Sequence, residues 1–169
     1  MKLDTTKIIY VFTALTLLFG VLYIIPTIIF GERNVYTEPS DITIEIKDVK
    51  EGRGEKYLEN LGRLIIRSNT SIKLEFTFPP AVTRFEGLAL NLEVYLESET
   101  KNYVIMAPCI WASIECNRIL VLIPGFDFPL SIEEGIYNIS VKMMWNAEGE
   151  GDIIFTIKFI EYRDGERVG

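Results

Sequence analysis

Residues 88–96 read LALNLEVYL, and this stretch decides the fold class. Apolar residues at every second position alternate with more polar ones, a period of two that is typical of a half-buried β-strand. Similar alternation recurs elsewhere, and shorter apolar runs accompany it. Together these segments predict about eight strands, at 42–46, 64–65, 72–78, 88–96, 103–107, 119–123, 137–145 and 153–159.

Turn signals separate the predicted strands, as at Pro79-Pro80 and Pro124-Gly125. After residue 33 a helical period is missing, except that residues 55–61 (EKYLENL) could form one or two helical turns. Regular short strands joined by such turns favour two stacked antiparallel sheets. We therefore predict an all-β sandwich of 7–8 strands over residues 41–163, followed by a C-terminal tail at 164–169.

One local pattern is more specific and reads Leu130-x4-Gly135-x-Tyr137-x-Ile139-x-Val141. It resembles the segment that leads into a late strand of immunoglobulin-like and fibronectin-type-III-like sandwiches. In those domains a Tyr hydroxyl bonds the backbone at a corner while its ring packs inward. The resemblance implies an antiparallel immunoglobulin-like β-sandwich and implies nothing about activity.

The N-terminal region carries an uncharged apolar run at residues 8–30. As a helix this run is roughly 34 Å long, enough for a hydrocarbon core of about 30 Å. We predict a transmembrane helix at 8–30, after a tail at 1–7 and before a linker at 31–40. A cleaved signal peptide and a buried core helix are the alternatives. The run is longer than a signal h-region and lacks its small-x-small cleavage site, and it has no polar stripe.

Flanking charge predicts the orientation of this single-pass segment. Lys2 and Lys7 precede it, whereas Glu32 and Arg33 cancel beyond it, so the N-terminus is expected in the cytoplasm and the domain outside. The chain has 17 basic and 24 acidic residues, of which 3 and 2 lie in residues 1–33, so residues 34–169 carry 14 and 22 and a net charge of −8. An acidic domain disfavours nucleic acid as a partner.

The cysteines Cys109 and Cys116 enclose a loop that contains Trp111. Outside the cytoplasm they are expected to form a disulfide, with two free buried thiols as the alternative. The sequence has no His, which disfavours a Cys nucleophile and copper sites. Trp111 is a candidate partner contact, or else it folds over the end of the sandwich.

Two sequons, Asn69-Thr70-Ser71 and Asn138-Ile139-Ser140, are candidate glycosylation sites, since Asn69 lies in a predicted turn and Asn138 on a polar strand face. Sequons also occur by chance.

A short acidic segment places oxygen-bearing side chains at every second position, interleaved with glycines. Such ligands suit Ca²⁺. EF-hand spacing is missing, however, and strands flank the segment, so a solvated hairpin turn is the alternative. The candidate calcium ligands are Asn146, Glu148, Glu150 and Asp152.

No catalytic or cofactor-binding constellation is recognisable, and we expect no enzyme activity. The first functional hypothesis is a cell-envelope structural or interaction protein, similar in architecture alone to the archaellum stator proteins. The others are an accessory subunit of a membrane enzyme, such as a respiratory complex, and a filament subunit that donates residues 34–48 to a neighbour. Abundant Ile, Glu and Lys with no Gln favour a thermophilic archaeon as the source.

Overall fold

The computed structural model describes residues 34–79, 85–114, 122–163 and 166–168, with the backbone alone at 163 and 166–168. The predicted tail at 1–7, the helix at 8–30 and most of the strand at 119–123 lie outside these ranges. Across the described ranges, no helix has the length and apolar character needed to cross a membrane.

In the described part of the chain the regular secondary structure consists of β-strands alone, which confirms the predicted all-β class. Inward and outward residues alternate along the strands, as the period of two predicts. The strands are β1 (Val35–Glu38), β2 (Ile42–Val49), β3 (Gly52–Ile66), β4 (Thr70–Thr77), β5 (Gly87–Glu97), β6 (Asn102–Ala112), β7 (Leu130–Ile132), β8 (Gly135–Glu148), β9 (Gly151–Arg163) and β10 (Glu166–Val168).

The strands form two sheets, and within each sheet all paired strands are antiparallel. Sheet 1 has the order β1-β3-β8-β5-β6. In sheet 2, β9 pairs with β4 along one side, and β4 pairs with β7. The other side of β9 pairs first with β2 and then with β10. The predicted pair of antiparallel sheets is confirmed.

The ladders are nested like those of one long hairpin. β5 pairs with β6, β4 with β7, β3 with β8, and β2 with β9. Rolling this hairpin into two sheets adds the β5–β8 and β4–β9 ladders, and the result is the strand order of a jelly roll. This strand order differs from the ABED and CFG sheets of an immunoglobulin constant domain. The sequence did not reveal the difference, because alternation specifies which face of a strand is buried and not which strands pair.

The core lies between the inner faces of the two sheets. Both sheets contribute fully buried aliphatic side chains, and Tyr137 and Phe155 are the largest side chains there. Phe155 is 0% exposed, and the centroid of its ring lies 5.6 Å from that of Phe78 and 6.4 Å from that of Phe76. The core of the domain is therefore closed by aromatic rings of sheet 2.

Residues 55–61 belong to β3, so the alternative of one or two helical turns in this segment is wrong. This part of β3 pairs with β8 as far as Leu58, and a bulge follows before Gly62. Asn60 lies in the bulge with φ 53°, a left-handed conformation in which Asn is enriched. The bulge interrupts the alternation, and long-range pairing overrides the local helix propensity of this segment.

Short strands also lie in the segments expected to be linker and tail. β1 lies within the predicted linker 31–40 and pairs with the end of β3. β10 lies within the predicted tail 164–169 and pairs with the end of β9. Both segments are therefore part of the sandwich where the structure describes them.

A buried carboxylate fixes the point at which the chain enters the sandwich. Glu161 is 4% exposed and lies opposite Ile72 on the inner face of sheet 2. Its Oε1 accepts a hydrogen bond from Asn34 Nδ2 at 3.0 Å and one from Thr70 Oγ1 at 3.3 Å. A buried carboxyl group needs such donors, and these hydrogen bonds hold Asn34, which directly precedes β1, against β4 and β9.

The predicted tyrosine corner is present. The Tyr137 ring is 1% exposed, and its hydroxyl donates to the Glu133 carbonyl oxygen at 2.9 Å. Burial raises the pKa of Tyr137 to about 12, so the hydroxyl keeps its proton at neutral pH. The corner ties the start of β8 to the turn after β7.

Tyr137→Phe is expected to lower the free energy of unfolding by about 0.5–1.5 kcal/mol, because the hydrogen bond to the Glu133 carbonyl oxygen is lost while the ring still packs. Chemical denaturation followed by Trp fluorescence would measure the change. Tyr57→Phe is the matched control, since the Tyr57 side chain is half exposed. Equal stability of the two variants would contradict a stabilising corner.

Candidate interaction surface

The large apolar side chains that remain exposed are concentrated on one face of the domain. Among the described residues there are six, and four of them lie on the outer face of sheet 1. The other two, Leu122 and Phe128, lie in the loop before β7. The exposed fractions on the sheet face are 48% for Tyr57, 52% for Val104, 53% for Met106 and 56% for Ile136.

Strand register brings most of these side chains together. Met106 lies opposite Glu93, Glu93 opposite Lys142, and Lys142 opposite Tyr57, so one row crosses four strands.

In the next row Val104 lies opposite Tyr95 on the neighbouring strand. The Tyr57 and Tyr95 rings meet edge to face with their centroids 5.9 Å apart. We call Tyr57, Tyr95, Val104 and Met106 the outer patch.

Polar groups around the outer patch are held in place. The Tyr95 hydroxyl donates to Glu93 Oε2 at 2.5 Å, and this hydrogen bond is the main reason that the pKa of Tyr95 is raised to about 12. Lys142 Nζ lies 3.4 Å from Glu55 Oε2. With two carboxylates and one ammonium, the immediate rim of the patch carries a net charge of −1.

The outer face of sheet 2 has a different chemistry. The hydroxyl oxygens of Thr43 and Thr156 are 3.2 Å apart across the β2–β9 ladder, and Lys158 lies opposite Glu75. None of the large apolar side chains exposed in the described residues lies on this face. Large exposed apolar side chains are therefore a feature of the outer face of sheet 1 and not of both outer faces of the domain.

The sequence contains a signal for this surface in β6. Residues 103–107 are apolar on both faces of a predicted strand, which is typical of a strand buried on both sides. In the structure, Ile105 and Ala107 are buried and Val104 and Met106 are exposed. An apolar run of this kind on a strand with a free outer face therefore indicates an interaction surface.

Cys109 and Trp111 lie at a bulge near the end of β6. Cys109 is disulfide-bonded, and its backbone N–H donates to Asn91 Oδ1 at 3.0 Å. Cys116, the other cysteine of the sequence, lies outside the described residues, so the Cys109–Cys116 pairing stays a prediction. Trp111 is half-buried, and its ring centroid lies 4.8 Å from that of Phe78. This contact is compatible with the alternative in which Trp111 folds over the end of the sandwich. A partner contact at Trp111 stays a prediction.

The four candidate calcium ligands lie along one exposed segment. The segment joins β8 of sheet 1 to β9 of sheet 2, so the predicted hairpin is wrong because its two strands do not pair. Glu150 Oε2 lies 2.9 Å from Lys50 Nζ, and Asp152 Oδ1 accepts from the Asp48 N–H at 2.9 Å. Across the described ranges, no three acidic or sulfur ligands converge to hold a metal ion.

Both predicted glycan acceptors are exposed. Asn69 lies in the turn before β4, and its Oδ1 accepts a hydrogen bond from the Glu134 N–H at 2.9 Å. Asn138 lies on the outer face of sheet 1, opposite Arg63 and Glu97. Ser140, two residues further along the same strand face, is buried because it lies beside the bulge of β3, where its hydroxyl oxygen accepts a hydrogen bond from the Asn60 N–H.

Comparison of the chain with models of protein families, with curated proteins and with solved structures found no match.

Proposed function

We propose that this chain is a membrane-anchored cell-envelope protein whose external β-sandwich docks onto a protein partner through the outer patch. The observation that carries the proposal is the concentration of exposed large apolar side chains on the outer face of sheet 1, whereas none of those exposed among the described residues lies on the outer face of sheet 2. Apolar clusters of this kind mark interaction sites. The anchor is the apolar segment 8–30.

The rim of the outer patch indicates the chemistry of the partner. Glu55 and Glu93 flank the apolar side chains, and Lys142 is paired with Glu55. Residues 34–169 carry a net charge of −8, so an acidic partner would be repelled at long range. The partner surface is expected to present apolar side chains framed by Lys or Arg, which would complement the rim.

The two leading functional hypotheses differ in the identity of this partner. A surface-layer or appendage protein would make the chain an envelope docking protein, comparable with the archaellum stators in having one anchor and one sandwich. A membrane oxidoreductase would make it an accessory subunit. The outer patch serves as the binding surface in both, and the first hypothesis is the one proposed here.

The test is site-specific photocrosslinking in membranes of the source cell. A photoreactive amino acid would replace Met106 in the full chain, and the matched control would carry it at Glu45, which is exposed on the outer face of sheet 2. We expect one discrete crosslinked band from position 106 and none from position 45, and mass spectrometry of that band identifies the partner. Equal crosslinking from both positions, or none from either, would contradict the proposal.

A second variant separates docking from folding. Met106→Glu adds a charge to the outer patch without touching the core, so we expect crosslinking through a reporter at Val104 to disappear while thermal unfolding of the domain stays unchanged. Glu45→Lys is the control and is expected to leave both measurements as they were.

A further inference from the structure

A polar groove opens at the end of the sandwich where the chain enters. Its volume is about 490 Å³, within the range of about 300–1,000 Å³ of small-molecule sites. The side chains around it supply hydroxyl, amide and carboxylate groups and one aromatic ring. Those used in the argument are Asn34, Asn69, Ser71, Ser131, Glu133 and Tyr162.

These groups match the chemistry of a carbohydrate. Sugar hydroxyls both donate and accept hydrogen bonds, as do the hydroxyls of Ser71 and Ser131, which lie 3.5 Å apart. Tyr162 offers an apolar ring face with a polar tip, which suits the C–H face of a pyranose. Tyr162 and Ser131 both lie directly opposite Ser71 in the two flanking ladders, so the three side chains share the outer face of sheet 2.

Asn69 belongs to a sequon and is itself part of the groove wall. Its Oδ1 accepts from the Glu134 N–H at 2.9 Å. Glycosylation replaces one hydrogen of Nδ2 and leaves Oδ1 unchanged, so this hydrogen bond can persist in the modified protein. A sugar linked to Nδ2 therefore starts at the groove, with its amide already oriented by the backbone of Glu134.

We propose that Asn69 is N-glycosylated and that the first sugars of this glycan lie in the groove against Tyr162. In the transfer, Asn69 Nδ2 forms a bond to the anomeric carbon of a lipid-linked oligosaccharide. The bond between that carbon and the lipid phosphate oxygen breaks, the lipid phosphate leaves, and Nδ2 loses one proton. The lipid-linked oligosaccharide is the donor and a membrane-bound oligosaccharide transferase of the cell catalyses the transfer. The inference rests on the external location of the domain given under the proposed function.

The second sequon provides a matched comparison. Asn138 also lines a groove, of about 740 Å³, whose other walls include Arg63, Glu97 and Glu134. That groove has acidic side chains and no aromatic ring among its lining residues. A glycan on Asn138 therefore has no ring to pack on, and we expect it to extend into solvent.

The experiment uses the full chain, produced in a secretory cell that performs N-glycosylation and purified in detergent. Glycopeptide mass spectrometry gives the occupancy of Asn69 and Asn138. Hydroxyl-radical footprinting then measures the oxidation rate of Tyr162, with Tyr36 as the internal reference. Ser71→Ala removes the sequon but keeps Asn69 and its hydrogen bond to Glu134, and Asn138→Gln leaves Asn69 as the sole acceptor.

We expect Asn69 to be occupied and the oxidation of Tyr162 to be severalfold slower in the glycosylated protein and in Asn138→Gln than in Ser71→Ala. An unmodified Asn69 beside an occupied Asn138 would overturn this inference alone. An unmodified chain at both positions would overturn it together with the external location. Equal oxidation of Tyr162 with and without the Asn69 glycan would overturn the placement of the sugars in the groove.

Discussion

Phe155→Ala is expected to lower the free energy of unfolding by about 3–5 kcal/mol, the range for an aromatic side chain removed from a core. The side chain is fully buried on β9, and its ring lies beside the rings of Phe76 and Phe78. β9 pairs with strands on both sides, so the backbone around the cavity has little freedom to collapse. The loss is a large part of the total stability of a typical domain, about 5–15 kcal/mol.

Denaturant unfolding of the full chain would measure this loss, and two further variants make the result interpretable. Phe155→Leu keeps most of the volume and is expected to lose less than Phe155→Ala. Glu45→Ala, on the exposed face of β2, is expected to change stability by less than about 0.5 kcal/mol. If Phe155→Ala were no less stable than Glu45→Ala, the aromatic closure of the core described above would be incorrect.

Glu161→Ala is expected to lower the free energy of unfolding by about 1–3 kcal/mol, the range for leaving a buried hydrogen-bonding group without its partner. Removal of the carboxylate leaves Asn34 Nδ2 and Thr70 Oγ1 without their acceptor. The effect is also expected to be local. Because the Asn34 carbonyl accepts from the Arg67 N–H at 2.9 Å, release of Asn34 should accelerate hydrogen exchange at the Arg67 amide.

Hydrogen exchange and denaturant unfolding together test this role of Glu161. Glu161→Gln retains a carbonyl oxygen and is expected to recover part of the stability lost in the Ala variant. Glu134→Ala, an exposed carboxylate at the same end of the sandwich, is the control and should leave exchange at Arg67 unchanged. Unaltered exchange at Arg67 in Glu161→Ala would show that the carboxylate does not hold the entry of the chain.

The sequence predicted the strands whose alternation is uninterrupted, such as β2, β5 and β9. It did not predict the first half of β3, because the left-handed Asn60 shifts the pattern from one face to the other. The three-residue β7 is too short to show a period. The strand order could not be predicted from the sequence either, since the residues that pair in the β2–β9 ladder are distant along the chain.

The candidate surface was only partly predictable. Alternation placed Asn138 on an exposed face, and the Gly135-x-Tyr137 pattern located the corner hydrogen bond. The outer patch required the register of four strands, because Tyr57, Tyr95 and Met106 are far apart in sequence. The groove at Asn69 likewise needed Tyr162, which only the β4–β9 ladder brings beside Ser71.

The nested pairing of the strands also has a kinetic consequence. β5 and β6 are neighbours in sequence, whereas Thr43 and Thr156 face each other from positions 113 residues apart. Closure entropy rises with separation, so pairing is expected to proceed from the innermost hairpin outward, and domains dominated by distant pairs fold slowly. Until β9 has been synthesised, β2 and β4 expose unpaired edges. The nascent chain is therefore most prone to aggregate before β9 has emerged.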